Sequence, residues 1–253
     1  MLIATWNLNH RVGKTRFRAE AVNAVAAFQA DVVVLTEYYP RYYPRDYESV
    51  FRADLSNAGC HVLASEIVGE IANRVLIASR FPLEPFPLPL PDFDRQFPPN
   101  ILCVTIPAAG IRVLGIRIPA YIGEDEPYIL RSWDWLESTL SGLHDAPTIV
   151  AGDFNVNVDS RRAKGGDHFR RILANGWHRS APKGQGSYFG PNGQRAEIDH
   201  ILCNSGLSFA DARYVTEAGG FQLAGTTGAL SDHAAVLAWV QRANRAIDSP
   251  LEC

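Results

Sequence analysis

Thr148-Ile149-Val150-Ala151-Gly152-Asp153-Phe154-Asn155 is a short apolar run closed by an acid and an amide. A run of this length, rich in β-branched residues, reads as a buried strand. The polar residues at its end then mark the place where the strand meets a rim.

The same arrangement recurs along the chain. Asn7 lies near the end of an apolar strand expected at 2–8, and Glu37 ends a second at 31–37. Asp199 stands at the start of a strand at 198–203, and Asp232 and His233 immediately precede another at 234–240. Further strands are expected at 61–67, 74–79, 101–106, 111–118 and 209–215. Alanine and valine at helical spacing predict a helix over 16–28. Two more helices are expected at 127–141 and 167–175, the last stopped by Gly176. Pro191-Asn192-Gly193 between strand-like runs signals a hairpin. The proline-dense stretch 81–99 reads as an extended loop.

Several neighbouring strands are separated only by short turns, as at 107–110, so much of the pairing must be antiparallel. The expected fold is α+β: two packed, mixed and mostly antiparallel sheets with helices outside. No composition shift marks a boundary at the proline-rich loop. A single domain over 1–253, its last ten or so residues a tail, is the expectation. A domain of that size buries roughly three-quarters of its unfolded surface and needs no staples.

The formal net charge of −3 argues against a protein that coats nucleic acid by bulk charge, although a local basic groove would still steer an anion. Cys60, Cys103, Cys203 and Cys253 form no Cys-x-x-Cys pair and no zinc-like spacing. Two of them fall in apolar runs, where a free thiol packs as a small hydrophobe. These features fit a reducing, cytoplasmic setting. No stretch reaches the roughly 20 apolar residues that span a bilayer, so no membrane association is expected, and no obligate protein partner is evident.

Where strands run antiparallel, the start of one lies beside the end of its neighbour. Asn7, Glu37, Asp153, Asn155, Asp199, Asp232 and His233 can therefore converge on one rim. Four carboxylates gathered there repel one another unless a cation compensates. Oxygen donors from carboxylate and amide favour a hard ion, magnesium (or manganese in its place) rather than zinc.

Ala4-Thr5-Trp6-Asn7, Leu35-Thr36-Glu37, Gly152-Asp153-Phe154-Asn155, Ile198-Asp199-His200 and Ser231-Asp232-His233 stand in the order found in the endonuclease/exonuclease/phosphatase family, which includes DNase I and exonuclease III. Each motif is weak alone; together, spread over residues 4–233, they are specific. The resemblance implies a four-layer α/β sandwich of the DNase I-like kind and metal-dependent hydrolysis of phosphoesters. It casts Glu37 as the principal metal ligand, with Asn7 and Asp232 in the metal region. Asp153 resembles the residue that orients or deprotonates the attacking water, and Asn155 a phosphate-positioning amide. His233 resembles the histidine that contacts the scissile phosphate, with Asp199 as its carboxylate partner.

The chain departs from the pattern in two places. Members similar to DNase I carry another catalytic histidine after the strand expected here at 111–118. This chain has Arg117-Ile118-Pro119-Ala120-Tyr121 instead. Members similar to exonuclease III place a tyrosine in that region, which makes Tyr121 the candidate for a phosphate or leaving-group contact. Thr36 stands where glutamine is more usual.

Plainer readings stand beside these. Glu37 alone could be a solvated strand end, and Asp153 with Asn155 a simple Asx turn. His200 follows Asp199 in a strand, so its side chain points to the opposite face and reads as a packing histidine. Tyr38 to Tyr47 interleaves tyrosines with Arg41 and Arg45, which suits phosphate contact with base stacking, or equally a tyrosine-rich loop packed on its own domain. Arg161, Arg162 and Lys164 offer a second phosphate contact or a solvated charge run. His10 and Arg11 lie near the expected rim. Trp133 and Trp135 read as helix packing.

The expectation is a magnesium-dependent nuclease or other phosphodiesterase acting on a phosphoester substrate, DNA or RNA. The alternatives are a phosphatase for a small phosphorylated metabolite or lipid head group, and a non-catalytic binding module of the same fold.

Overall fold

Leu2-Ile3-Ala4-Thr5-Trp6-Asn7 forms the first strand, β1, and every one of its residues is buried. A strand apolar on both faces needs a covering layer on each. The same holds for β2 (Val32–Tyr38), β4 (Arg74–Ser79), β8 (Thr148–Asp153) and β12 (Asp199–Asn204), all buried throughout. The computed structural model describes residues 1–9, 19–38, 46–66, 73–93, 97–120, 126–161 and 165–243.

The remaining strands are β3 (His61–Ala64), β5 (Glu84–Pro85), β6 (Ile101–Ile106), β7 (Ile111–Arg117), β9 (Trp177–Arg179), β10 (Tyr188–Phe189), β11 (Arg195–Ala196), β13 (Leu207–Val215), β14 (Glu217–Ala218), β15 (Phe221–Gln222) and β16 (Ala235–Arg242). The helices are α1 (Ala19–Ala27), α2 (Asp46–Asn57), α3 (Glu126–Ser141) and α4 (Gly166–Ala174). One six-stranded sheet has the order β13-β16-β1-β2-β4-β3 and the other β5-β6-β7-β8-β12-β9.

Three apolar clusters define four layers. Between the sheets, Ile3, Val34 and Ile77 of the first meet Val104, Val113 and Ile149 of the second. The outer face of the first sheet, through Ala4, Trp6 and Leu35, packs on Val22 and Val25 of α1 and Phe51 and Leu55 of α2. The outer face of the second, through Leu114, Val150 and Leu202, packs on Trp133 of α3 and Phe169 of α4. Helix, sheet, sheet, helix is the expected sandwich. Trp133 is fully buried, and Trp135 donates its indole N–H to the Pro89 carbonyl at 3.0 Å, so both tryptophans serve helix packing.

Pairing is antiparallel within both sheets except between β1 and β2 and between β7 and β8. In each parallel pair the chain passes through a helix, α1 or α3, before returning. The Asn-Gly turn forms a hairpin, with Gly193 at φ 77°, but β10 pairs with the short strand β11 and not with the strand that begins near Ile198, which joins β8 in the second sheet. The proline-rich stretch 81–99 carries the chain from β4 of the first sheet to β6 of the second, and its Glu84–Pro85 pairs with β6 as the edge strand β5. The expected tail lies outside the described residues.

Candidate active site

The topology gathers the polar strand ends. Parallel β1 and β2 finish side by side, which puts Asn7 in register with Thr36, next to Glu37. Parallel β7 and β8 finish side by side in the facing sheet, with Arg117 opposite Asp153. Antiparallel β12 begins beside the end of β8, so Asp199 is paired with Asp153. Antiparallel β16 begins beside the end of β1, with Thr5 opposite Val236, and His233 just precedes it.

Asp153 sits at the centre. The amides of Asn7 and Asn155 both donate to its Oδ2, at 2.9 and 3.0 Å, and the backbone N–H of Asn155 donates to Oδ1 at 2.8 Å. Asn7 is held in that orientation because its own Oδ1 accepts the Asn9 N–H at 2.7 Å. Burial, and then the neighbouring Asp199 carboxylate, push the Asp153 pKa up to about 7, against the lowering influence of His233 and Arg117.

The backbone is forced here. Asn9, Glu37 and Asn155 have positive φ, at 48°, 51° and 51°, a region that non-glycine residues occupy at a cost of roughly 1–2 kcal/mol. Such strain persists where surrounding structure over-determines it, and it concentrates at functional sites. Just before Asp153, Gly152 has φ 150°, and a Cβ there would lie 1.8 Å from the Ile116 carbonyl oxygen. Only glycine fits.

His233 donates from Nδ1 to Asp199 Oδ2 at 2.7 Å, and its Nε2 lies 3.7 Å from Asp232 Oδ1. Burial alone would depress the ring. The Asp199 charge and hydrogen bond, helped by Asp153 and Asp232, override it and raise the pKa to about 9. The imidazolium is therefore the resting form at neutral pH, with an Nε2–H donor to offer. Trp6 Nε1 donates to the His233 carbonyl at 2.9 Å, Ser231 Oγ accepts the His233 N–H at 3.0 Å and donates to the Asn7 carbonyl at 2.7 Å, and Ser187 Oγ accepts the Asp199 N–H at 3.0 Å.

A model of the endonuclease/exonuclease/phosphatase family matches residues 4–233. The chain belongs to this family. It is thus a hydrolase of phosphoester bonds. No curated protein sequence matches it. Among solved structures, an AP endonuclease from Archaeoglobus fulgidus superposes with a TM-score of 0.69 at 20% identity, covering 94% of this chain and 98% of that one. A variant of the 3′ phosphatase NExo from Neisseria, bound to a product DNA hairpin, gives 0.68 at 22%, over 95% and 99%. An endonuclease/exonuclease/phosphatase from Beutenbergia cavernae gives 0.67 at 16%, over 96% and 71%. At these identities the likeness establishes the DNase I-like fold.

Enzymes of the endonuclease/exonuclease/phosphatase family generally use divalent metal ions, and the residues present fit one. Asp199 Oδ1 and Asp232 Oδ1 are buried acceptors with no hydrogen-bond partner, and every carboxylate and amide oxygen here is a hard donor. Among the described residues no three of His, Cys, Asp and Glu are arranged to cage a metal by themselves. Magnesium asks for no such cage, since it takes one or two carboxylates and keeps waters.

Glu37 accepts from Arg117 Nε at 2.8 Å, both side chains nearly buried. Arg117 is the residue the sequence reading passed over, because a strand-terminal arginine usually points to solvent. Asn7, Asp153 and Asn155 form one directly bonded group, Asp199 and His233 another, and Asp232 adjoins the second. His200 packs instead between Phe154 and Phe169, its Nε2 bonded to the Val156 carbonyl at 2.8 Å, and burial lowers it to about 4. Tyr38 is fully buried and stacked on Phe51, so it belongs to the core. Arg161 is exposed before α4. Tyr121, Arg41, Arg45, Arg162, Lys164, His10 and Arg11 lie outside the described residues. A groove of about 810 Å³ between the proline-rich loop and α3, lined by Leu90, Arg131 and Trp135 among others, shares no residue with this site.

Proposed function

We propose that this chain is a magnesium-dependent nuclease that hydrolyses phosphoester bonds of DNA by attack of water. The reading is carried by one observation: Asp153, pinned by two asparagine amides, adjoins the buried Asp199–His233 pair on a single rim.

In this reading Asp153 takes the proton from the attacking water. Its raised pKa suits a base that works near neutrality. Asn7 and Asn155 hold that carboxylate in place, and Asn155 presents an amide to the phosphate. His233 donates from Nε2 to a phosphate oxygen as negative charge builds, and Asp199 fixes the ring and keeps it charged. Glu37 would be the main metal ligand and Asp232 a second, direct or through water, with Asn7 in the same metal region. The bound cation would neutralise phosphate charge and lower the pKa of a coordinated water. Manganese would substitute for magnesium.

The Neisseria neighbour with its DNA hairpin supports a DNA substrate, and that neighbour's being a 3′ phosphatase supports a second reading in which a terminal 3′ phosphate is the group removed. Cys60, Cys103 and Cys203 are unbridged, which supports the cytoplasmic assignment. Among the described residues no helix is long and apolar enough to cross a membrane.

A substrate panel tests the reading: single-stranded DNA, abasic duplex, a 3′-phosphorylated DNA hairpin, RNA and phosphorylated small molecules, all with the same magnesium. Metal-dependent hydrolysis of a DNA substrate, abolished by chelator, is expected. Turnover confined to small phosphorylated molecules, or no turnover of any, would overturn it.

A further inference from the structure

Arg117 is the last residue of β7, and Glu37 is the penultimate residue of β2 in the opposite sheet. Their contact therefore bridges the sandwich at the rim. The side chains are 14% and 10% exposed and meet at 2.8 Å. Taking both charges out of water costs nearly as much as their attraction returns, so a buried pair is weak grounds for stability. This one is also reached through a glutamate in the left-handed region and an irregularity in the β2–β4 pairing between Leu35 and Tyr38. A contact that is costly twice over calls for another reason.

Position supplies it. Arg117 is in register with Asp153, and the next residue, Ile118, is laced into the same centre. Ile118 donates its N–H to the Asp153 carbonyl at 2.9 Å and accepts from the Asn155 amide at 2.8 Å. Arg117 thus stands on backbone paired with that of Asp153, proposed above as the base, at the strand end where that reading seats the phosphate. Its planar fork of donors matches phosphate oxygens, and its charge survives burial. No histidine follows β7 in Arg117-Ile118-Pro119-Ala120 to share that task.

We propose that Arg117 is a two-position catalytic arginine. It neutralises Glu37 while that carboxylate carries no metal, and it turns to the scissile phosphate once Glu37 is engaged by a divalent cation. The proposal rests on the metal-dependent phosphoesterase reading above. Arg117 competes with the metal for Glu37 and so weakens metal binding. In exchange it adds a second cation, beside the His233 imidazolium, to a surface that carries the carboxylates of Glu37, Asp153, Asp199 and Asp232. Arrival of metal and of substrate are thereby linked, because the guanidinium released by one is recruited by the other.

The test is titration calorimetry with manganese on wild type, Arg117→Gln and Arg117→Lys, together with kcat and KM on the best substrate of the panel. Removing an opposite charge from a carboxylate changes its affinity for a cation by about tenfold or more. Arg117→Gln should therefore bind manganese about tenfold more tightly while kcat falls roughly a hundredfold, the usual loss for a donor to a developing phosphate charge. Arg117→Lys keeps the charge and is the gentler change to folding. It should bind manganese within about twofold of wild type and lose several-fold in kcat, because a single ammonium replaces a fork. Manganese binding unchanged or weaker in Arg117→Gln, or weakened several-fold in Arg117→Lys, would mean that Arg117 merely orients Glu37 and would overturn the proposal. So would tighter binding with kcat unaltered. The calorimetry decides the competition even if no substrate is cleaved, which keeps this failure separate from failure of the phosphoesterase reading.

Discussion

Replacing Asp199 with asparagine isolates what one buried carboxylate does to the site. The amide oxygen can still accept the His233 Nδ1–H, so the 2.7 Å contact and the ring orientation are retained while the charge is lost. In the wild type the ring is held at about 9 against an ordinary value near 6.5. A rise of that size favours the charged ring by about 3 kcal/mol. Because the folded value lies above the unfolded one, this stabilisation is present in full below the ordinary pKa and is lost as pH rises through about 9. Without Asp199, burial faces only Asp153 and Asp232. The ring should then titrate far below its wild-type position, and the stability that the wild type loses between the ordinary pKa and about 9 should be largely missing from the variant. The assay is NMR titration of the imidazole resonances in metal-free protein from about pH 5 to 10. The His233 signal is identified among seven histidines by its absence in His233→Ala. Denaturant melts across the same range read the stability. A wild-type ring titrating near the ordinary value, or one unmoved by Asp199→Asn, would refute the reasoning.

Other substitutions probe neighbouring links. Asp153→Asn and His233→Ala should each lower turnover by about 10²–10⁴-fold with the protein still folded, as measured by initial rates beside circular dichroism. Wild-type rates in both would remove the proposed chemistry. Gly152→Ala places a methyl group where the Ile116 carbonyl already stands. It should cost more than about 3 kcal/mol, or on the order of 10 °C in Tm for a chain of this size, or prevent folding. A variant that melts with the wild type would show that β7 and β8 are not so tightly apposed.

Continuous apolar runs made much of the fold legible. β4 and β6 begin and end where the sequence predicts, because, Arg74 apart, their residues are apolar or small and bounded by polar or proline-rich turns. α2 was not legible: among its described side chains the buried anchors are Phe51 and Leu55, too few for a helical period to stand out. β9, of three residues, carries no pattern at all. The rim could be read because Asn7, Asp153 and Asp199 interrupt apolar strands at their ends. Arg117 could not, since what gives it meaning is the approach of β2 to β7 across the sandwich, a tertiary fact. Ser187 is similar: nothing local marks a serine whose hydroxyl accepts the N–H groups of Ile198 and Asp199. The hairpin, by contrast, was announced by Asn192-Gly193.

The central claim is that side chains from β1, β2, β8, β12 and the start of β16 surround a hard cation. Crystals grown with manganese test it through anomalous scattering. The account predicts a peak at the rim with the Glu37 carboxylate in its coordination shell and Asp153 and His233 facing the same cleft. A well-occupied ion elsewhere, or a rim that stays empty at saturating manganese, would contradict it.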